Sequence, residues 1–236
     1  MIQKFLFMNN IINSGFSVAF DLDDTIFYER DYVISGFNQI DKHIENIFGY
    51  KNSSYKLCHY FENRDSNPIR SLCKELGIDI ENELVKIMRE STPKIKTRPG
   101  IKSLMKDLKL NGFEMGIITN GRSETQRLKI KALGIEELID VLLISDEIGL
   151  KKPNLEVFKK YQYKSKKSKF LFIGNNPTLD IYPANAAGWK TIYCVSNNYM
   201  LNKFNKPDAD WHVTNFLSKT IKEIFLINKA NKLKAC

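Results

Sequence analysis

"SVAFDLDDTIFYE", residues 17–29, decides how the rest of the chain is read. Val18, Ala19 and Phe20 run toward a core, and Asp21, Asp23 and Asp24 follow at once. A short apolar run of this kind reads as a strand buried on both faces, the sort found in a parallel sheet covered by helices. In such open sheets ligands bind outside the carboxyl ends of the strands, and the run delivers Asp21 to that edge. Residues two apart on an extended backbone share a side, so Asp21 and Asp23 are expected to face one cavity while Asp24 turns away. Two neighbouring carboxylates repel, each with an ordinary pKa near ~3.9, and a hard divalent cation, most simply Mg²⁺, relieves the repulsion through oxygen ligands. The alternative for the same residues is an acidic cluster that caps a helix or faces solvent.

Working outward, "FEMGIIT" (113–119), "IDVLLIS" (139–145), "KFLFIG" (169–174) and "KTIYCV" (190–195) repeat the buried-strand pattern. Amphipathic stretches alternate with them. "PGIKSLMKDLKLNG" and "PNLEVFKKYQY" open on proline, "SETQRLKIKALG" opens on a Ser123 cap and closes on Gly134, and "LDIYPANAAG" follows the same plan. Strand and helix in alternation predict an α/β fold, a Rossmann-like doubly wound parallel sheet.

Residues 32–93 do not join the alternation. "VISGFNQIDKHIENIFGY", "SSYKLCHYFENR", "NPIRSLCKELG" and "IENELVKIMRES" all carry helical spacing, which predicts an inserted α-helical cap. The catalytic core is then expected over 16–31 and 94–228, with terminal tails at 1–15 and 229–236; the residues after Trp211 read as a closing strand and a final helix.

The chain has 236 residues, 43% hydrophobic, enough for a substantial core. Its formal charge is +9, from 36 Lys+Arg against 27 Asp+Glu, and the excess is widely spread. "KSKKSK" (164–169) and the final "NKANKLKAC" are local basic clusters, but no aromatic or arginine residue interleaves the lysines, so no nucleic-acid partner is expected. A positive field would still attract anionic substrates. The four cysteines, Cys58, Cys73, Cys194 and Cys236, form no C-x-x-C pair and fit a reducing cytoplasm. The first residues are interrupted by Asn9, Asn10 and Asn13 and make no signal peptide, and no apolar run is long enough for a transmembrane helix.

Three further strand ends carry polar groups. The second ends in Thr119, Asn120 and Gly121, a hydroxyl and backbone amides that suit a phosphoryl oxygen, though T-N-G is also a turn sequence. "GLKKP" offers Lys152, placed by Pro153 at a helix start, as a cation for charge developing in a transition state. "GNNPTLD" (174–180) adds Asp180, a further carboxylate for a metal. Each is ambiguous alone; the four in order at converging strand ends are specific.

Through "FDLDDT", "IITNG", "SDEIGLKKP" and "IGNNPTLDI", the chain resembles the haloacid dehalogenase-like (HAD) hydrolase superfamily, and the likeness extends across nearly the whole core. The insertion after the first motif is similar to the family's C1 cap. The resemblance implies a Mg²⁺-dependent phosphatase acting through an aspartyl-phosphate. Asp21 would then be the nucleophile, and Asp23 the general acid and base whose backbone carbonyl also ligates the metal. Thr119 and the Asn120 amide would hold phosphoryl oxygens, Lys152 would neutralise the transferring group, and Asp180 would anchor the metal.

The superfamily's name does not set the reaction. A halide leaving group needs no proton, and family members that cleave carbon–halogen bonds lack the second aspartate; an alkoxide needs one, so Asp23 argues for phosphate esters over haloacids. One position departs from the family pattern: Asn175 stands where a metal-ligating aspartate is usual. Its carbonyl can still coordinate Mg²⁺, but the site loses a charge, and the alternatives are a more Mg²⁺-demanding phosphatase or a non-catalytic, regulatory binding protein. The expected partner is a small phosphorylated metabolite, a sugar phosphate or a nucleotide. Specificity would lie in the cap, with Tyr28, Arg30, His59, Tyr60, Arg64 and Arg70 as polar candidates.

Overall fold

The computed structural model describes residues 14–195, 207–217 and 219–225. The expectations for the leader region 1–13, the tail 229–236, the final basic cluster and Cys236 lie outside these residues.

Each apolar run named above is a strand: β1 (Phe16–Phe20), β2 (Glu114–Thr119), β3 (Val141–Ile144), β4 (Lys169–Gly174) and β5 (Lys190–Cys194). A short sixth strand, β6 (Trp211–Val213), pairs with β5. All pairings are parallel and the order is β3-β2-β1-β4-β5-β6. This is the order of the doubly wound Rossmann sheet, whose switch point falls between β1 and β4. Val18 at the centre of β1 faces Met115 on one side and Leu171 on the other. The ends of β1 and β4 therefore open the crevice in which Asp21 and the 174–180 segment meet.

The helices are α1 (Glu29–Phe48), α2 (Ser53–Glu62), α3 (Pro68–Leu76), α4 (Glu81–Glu90), α5 (Ile101–Leu110), α6 (Ser123–Leu133), α7 (Ser145–Ile148), α8 (Leu155–Lys164), α9 (Tyr182–Ala186) and α10 (Lys219–Phe225). Among the described residues no helix is long and apolar enough to cross a membrane.

The chain divides into two compact units. One takes in the chain up to Phe27, Thr97–Ser123 and the chain from Gly134 onward; the other takes in Tyr28–Lys96 and Glu124–Leu133. In the sheet unit, Ala19, Ile118, Leu143, Phe158, Tyr161, Phe172 and Trp189 form a buried cluster. Gly116 is required there: a Cβ at this position would fall 2.0 Å from the Tyr161 hydroxyl, which is bonded to Ser17 Oγ at 2.8 Å. The helical unit has its own interior, with Phe37, Ile40, Ile44, Leu57, Leu72 and Leu84 buried. Helix α6 lies in sequence between two segments of the sheet unit yet groups with the helical one. Its Lys129 is buried, and the ammonium stands 4.2 Å from the centre of the Tyr32 ring, a cation–π contact that offsets the loss of water.

Three local expectations are corrected. Ser123 lies within α6 and does not cap it with its own hydroxyl, which donates to Glu147; Asp146 Oδ2 accepts the Ser123 N–H at 3.0 Å instead. Pro153 does not open α8: the Lys152–Pro153 peptide is cis, and Asn154 caps the helix by accepting from the Glu156 N–H at 2.9 Å. The stretch expected as one helix after β4 begins as a π-turn, Pro177–Ile181, before α9. Asn176 Oδ1 accepts the N–H groups of Thr178 and Leu179, both at 3.0 Å, which caps the turn, and its width comes from the Ile181 N–H donating to Asn176 O at 3.3 Å.

Candidate active site

The site begins where β1 stops. The Asp21 N–H still donates to Ile173 O at 2.9 Å, one residue past the strand, so the carboxylate is fixed at the mouth of the crevice and is buried. The chain then turns: Leu22 is fully buried, Ile26 N–H donates to Leu22 O at 3.0 Å, and Asp24 takes a left-handed φ of 53°. Asp23 and Asp24 are both half-buried.

From the end of β3 the chain brings Lys152, 2% exposed, into the same crevice. Its ammonium lies 2.6 Å from Asp21 Oδ1 and 2.7 Å from Asp180 Oδ1. Asp180 is buried, and its other oxygen accepts the N–H groups of Asn175 (3.2 Å) and Asn176 (2.9 Å). Gly174 permits this approach, since a Cβ there would fall 2.6 Å from the Asp180 side chain. Both oxygens of Asp180 are thus engaged, one by the ammonium and one by backbone amides.

Burial pushes the Asp21 carboxyl up to about 7; Lys152 opposes this, while Asp180 and Asp23 add to it by repulsion. For Lys152, burial acts to lower the pKa, but the two facing carboxylates outweigh it and hold the group at about 12. Lys152 is therefore a cation at neutral pH, and one ammonium stands between the two carboxylates of Asp21 and Asp180.

The oxygens left to meet a cation are of the hard type. Thr25 Oγ1 lies 3.4 Å from Asp21 Oδ2 and 3.2 Å from Asn175 Oδ1, so one hydroxyl stands between the carboxylate and amide oxygens. Among the described residues, three or more His, Cys, Asp or Glu side chains do not cluster as a metal site. A divalent ion here would draw on amide and backbone oxygens besides the carboxylates, as Mg²⁺ accepts. Crowded carboxylates short of positive charge and an oxygen-only donor set fit that ion.

The T-N-G turn is used differently along its length. Thr119 is buried at the end of β2, its hydroxyl 3.4 Å from Asn120 O. Asn120 Nδ2 donates to Lys152 O and Asn120 Oδ1 accepts the Lys152 N–H, both at 2.9 Å, so this side chain grips the lysine's backbone. The Gly121 N–H donates to Ser145 Oγ at 2.9 Å and is already occupied. Of the polar candidates for specificity, Arg30 pairs with Glu62, Tyr60 donates to Glu75 and Arg70 pairs with Glu81. Sequence reasoning did not single out Thr25, Arg98 or the capping role of Asn176. Thr25 lies inside the first motif and could have been found there; nothing in the sequence pattern marks Arg98.

Comparison with known proteins points the same way. A family model described as haloacid dehalogenase-like hydrolase matches residues 18–194. The glyceraldehyde 3-phosphate phosphatase of Methanocaldococcus jannaschii is 29% identical over 206 residues, covering 77% of this chain and 86% of that one. The glyceraldehyde 3-phosphate phosphatase of Pyrococcus furiosus is 33% identical over 119 residues, which span about half of each chain: 49% of this one and 50% of the relative. Among solved structures, the HAD-hydrolase YfnB from Bacillus subtilis, bound to magnesium, superposes with a TM-score of 0.63 at 22% identity, over 88% of this chain and 97% of that one. That last likeness is one of fold.

Proposed function

Since the chain belongs to the haloacid dehalogenase-like hydrolases, and the relatives it matches over most of its length are phosphatases, we propose that it is a Mg²⁺-dependent phosphomonoester hydrolase acting on a small phosphorylated metabolite. The observation that carries the proposal is the buried Lys152 ammonium held between Asp21 and Asp180. The Asp21 carboxylate, held by Lys152 at Oδ1 and by Thr25 at Oδ2, attacks phosphorus as the alkoxide departs, forming an aspartyl-phosphate that water then hydrolyses. Asp23 gives a proton to the departing alkoxide and later takes one from the attacking water. Thr119 and the Asn120 backbone amide hold phosphoryl oxygens, and Lys152 meets the charge that grows on them. Gly121 contributes shape to this turn, its N–H being engaged elsewhere.

Asp21, the Asp23 backbone carbonyl and Asn175 Oδ1 would hold Mg²⁺; Asp180, expected from the sequence as a metal anchor, has its oxygens engaged by Lys152 and the 175–176 amides and would support the set from there. When bound, the ion supplies positive charge that aligns nucleophile and phosphoryl group and lets Asp21 ionise. Asp23 favours ester hydrolysis over dehalogenation, because an alkoxide needs its proton. The helices of residues 32–93 would act as a lid that excludes water and contacts the leaving group. A sugar phosphate or a nucleotide is the substrate class, and a cytoplasmic location fits the thiols of Cys58, Cys73 and Cys194. Phosphate release, measured with Mg²⁺ across triose, hexose and pentose phosphates and nucleoside monophosphates, tests the reading. Turnover of at least one class is expected. Silence across all of them, with no binding of phosphate or a fluoride complex, would replace it with the regulatory alternative.

A further inference from the structure

Arg98 stands where the chain re-enters the sheet unit after the helical segment, and its side chain is 3% exposed. A buried guanidinium is expensive unless its donors are used. Here Nη1 donates to Asp24 O at 2.9 Å and Nη2 reaches Val195 O at 3.5 Å, while the group lies 5.5 Å from the centre of the Phe216 ring. The Arg98 backbone N–H also donates to Ile26 O, at 2.8 Å. One residue thus grips the acidic turn twice, at 24 and at 26, and ties it to the end of β5.

The turn needs such a grip. Asp24 has a φ of 53°, a left-handed conformation that aspartate tolerates better than most residues with a Cβ but that still costs free energy, so a contact to its peptide helps to hold it. The bonded carbonyl belongs to the peptide that leaves Asp24, so fixing it fixes the rotation about the Asp24 backbone. That rotation sets the direction in which the preceding residue, Asp23, projects. Asp21 is held separately, through its own N–H to Ile173 and its carboxylate to Lys152. Loosening the turn at Asp24 would therefore displace Asp23 while leaving Asp21 in place.

We propose that Arg98 is a positioning residue for Asp23: its guanidinium holds the Asp24 carbonyl and so keeps the Asp23 carboxyl aimed at the leaving-group oxygen. The inference rests on the phosphatase reading and adds to it a residue that touches neither substrate nor metal. It also distinguishes geometry from charge. Lysine at 98 keeps the cation but has one point of donation in place of a fork, and cannot serve both carbonyls as arginine does.

The test uses the leaving group. A nitrophenolate departs without a proton, so the first step on its ester does not call on the Asp23 carboxyl, whereas the first step on an alkyl phosphate such as glycerol phosphate does; the second step, hydrolysis of the aspartyl-phosphate, is common to both. R98A and R98K are compared with the wild-type chain in Mg²⁺ on both esters, with single-turnover rates of the first step and thermal midpoints recorded. R98A should lose about tenfold or more in the single-turnover rate of the first step on the alkyl ester beyond its loss on the aryl ester, and R98K should fall between R98A and wild type. If R98A does not fold, R98K alone decides: an alkyl-to-aryl ratio lowered by about threefold or more supports the role, and an unchanged ratio overturns it. Equal losses on both esters in folded variants would make Arg98 a stabiliser only. A wild-type chain silent on both esters and on every phosphomonoester of the screen above would overturn the phosphatase reading, and with it the positioning role.

Discussion

Asn120 and Lys152 are joined by two hydrogen bonds of 2.9 Å that run in opposite directions, Nδ2 to the lysine carbonyl and the lysine N–H to Oδ1. A carboxamide is the side chain that can both give and accept in this way. The pair fixes the lysine's backbone across 32 residues of sequence, and the ammonium reaches Asp21 and Asp180 from that anchor.

Asn120→Ala should therefore act through Lys152. The backbone amide proposed to meet a phosphoryl oxygen survives the substitution, but the lysine loses its anchor, and kcat should fall roughly ten- to a hundredfold while the fold persists. Asn120→Asp should be no better, because its second oxygen would face the Lys152 carbonyl. Steady-state kinetics of both variants on one ester checks this; unchanged kcat in Asn120→Ala would show that Lys152 holds its place unaided.

The Asp21 carboxyl predicts a pH dependence of stability with a definite sign. Its folded-state pKa, about 7, lies above the ordinary 3.8, so the folded state binds this proton more tightly than the unfolded state. The metal-free chain should lose stability on this account as pH rises between those values. Asp21→Asn removes the titration, so the variant's thermal midpoint relative to wild type, in the presence of a chelator, should rise from about pH 4 to about pH 8. A difference that stays flat or falls would mean that Asp21 is ionised throughout, with Lys152 outweighing burial.

Gly116→Ala should destabilise the sheet unit by roughly 1–3 kcal/mol, because the added methyl meets the Tyr161 ring and hydroxyl inside a packed core. Urea denaturation measures it. A change of a few tenths of a kcal/mol would show that the Tyr161 side chain moves aside freely.

The Asn175 amide is the weak member of the proposed metal set. Asn175→Asp adds a charge beside Thr25 and Asp21, and even ~1–2 kcal/mol of tighter binding lowers the half-saturating Mg²⁺ concentration roughly five- to thirtyfold. Calorimetric titration reads this without a substrate. An unchanged half-saturation would place Asn175 away from the ion.

The parts of this site legible in the sequence are those set by the sheet. An apolar run names a strand, its last residue names a place on the carboxyl edge, and Asp21, Lys152 and Asp180 meet because those edges converge at the β1/β4 switch point. The switch point also explains why Asp21 and Asp180 could be placed without knowing the cap. Other features depend on side-chain geometry that period and spacing do not encode. Thr25 reaches Asn175 across 150 residues, and the Asn120 side chain, for which the sequence suggested no role, grips the Lys152 backbone. The π-turn after β4 is made by backbone bonds five residues apart, Ile181 N–H to Asn176 O and Tyr182 N–H to Pro177 O, with Asn176 capping its start, and helical spacing cannot reveal it. Arg98 is a single basic residue before a proline, and only the fold brings it to Asp24. In α6 the buried Lys129 breaks the rule that lysine faces water, since the Tyr32 ring, far away in sequence, receives it.

The central claim is that Asp21 carries the phosphoryl group. Acid-quenched turnover with Mg²⁺ and a phosphomonoester, followed by proteolysis and mass spectrometry of the peptide containing residues 17–29, tests it most directly. One added phosphoryl group on Asp21, absent in Asp21→Asn, is the predicted result. Phosphate released at full rate by the wild-type chain while that peptide stays unmodified at every quench time, or an undiminished rate in Asp21→Asn, would contradict the account.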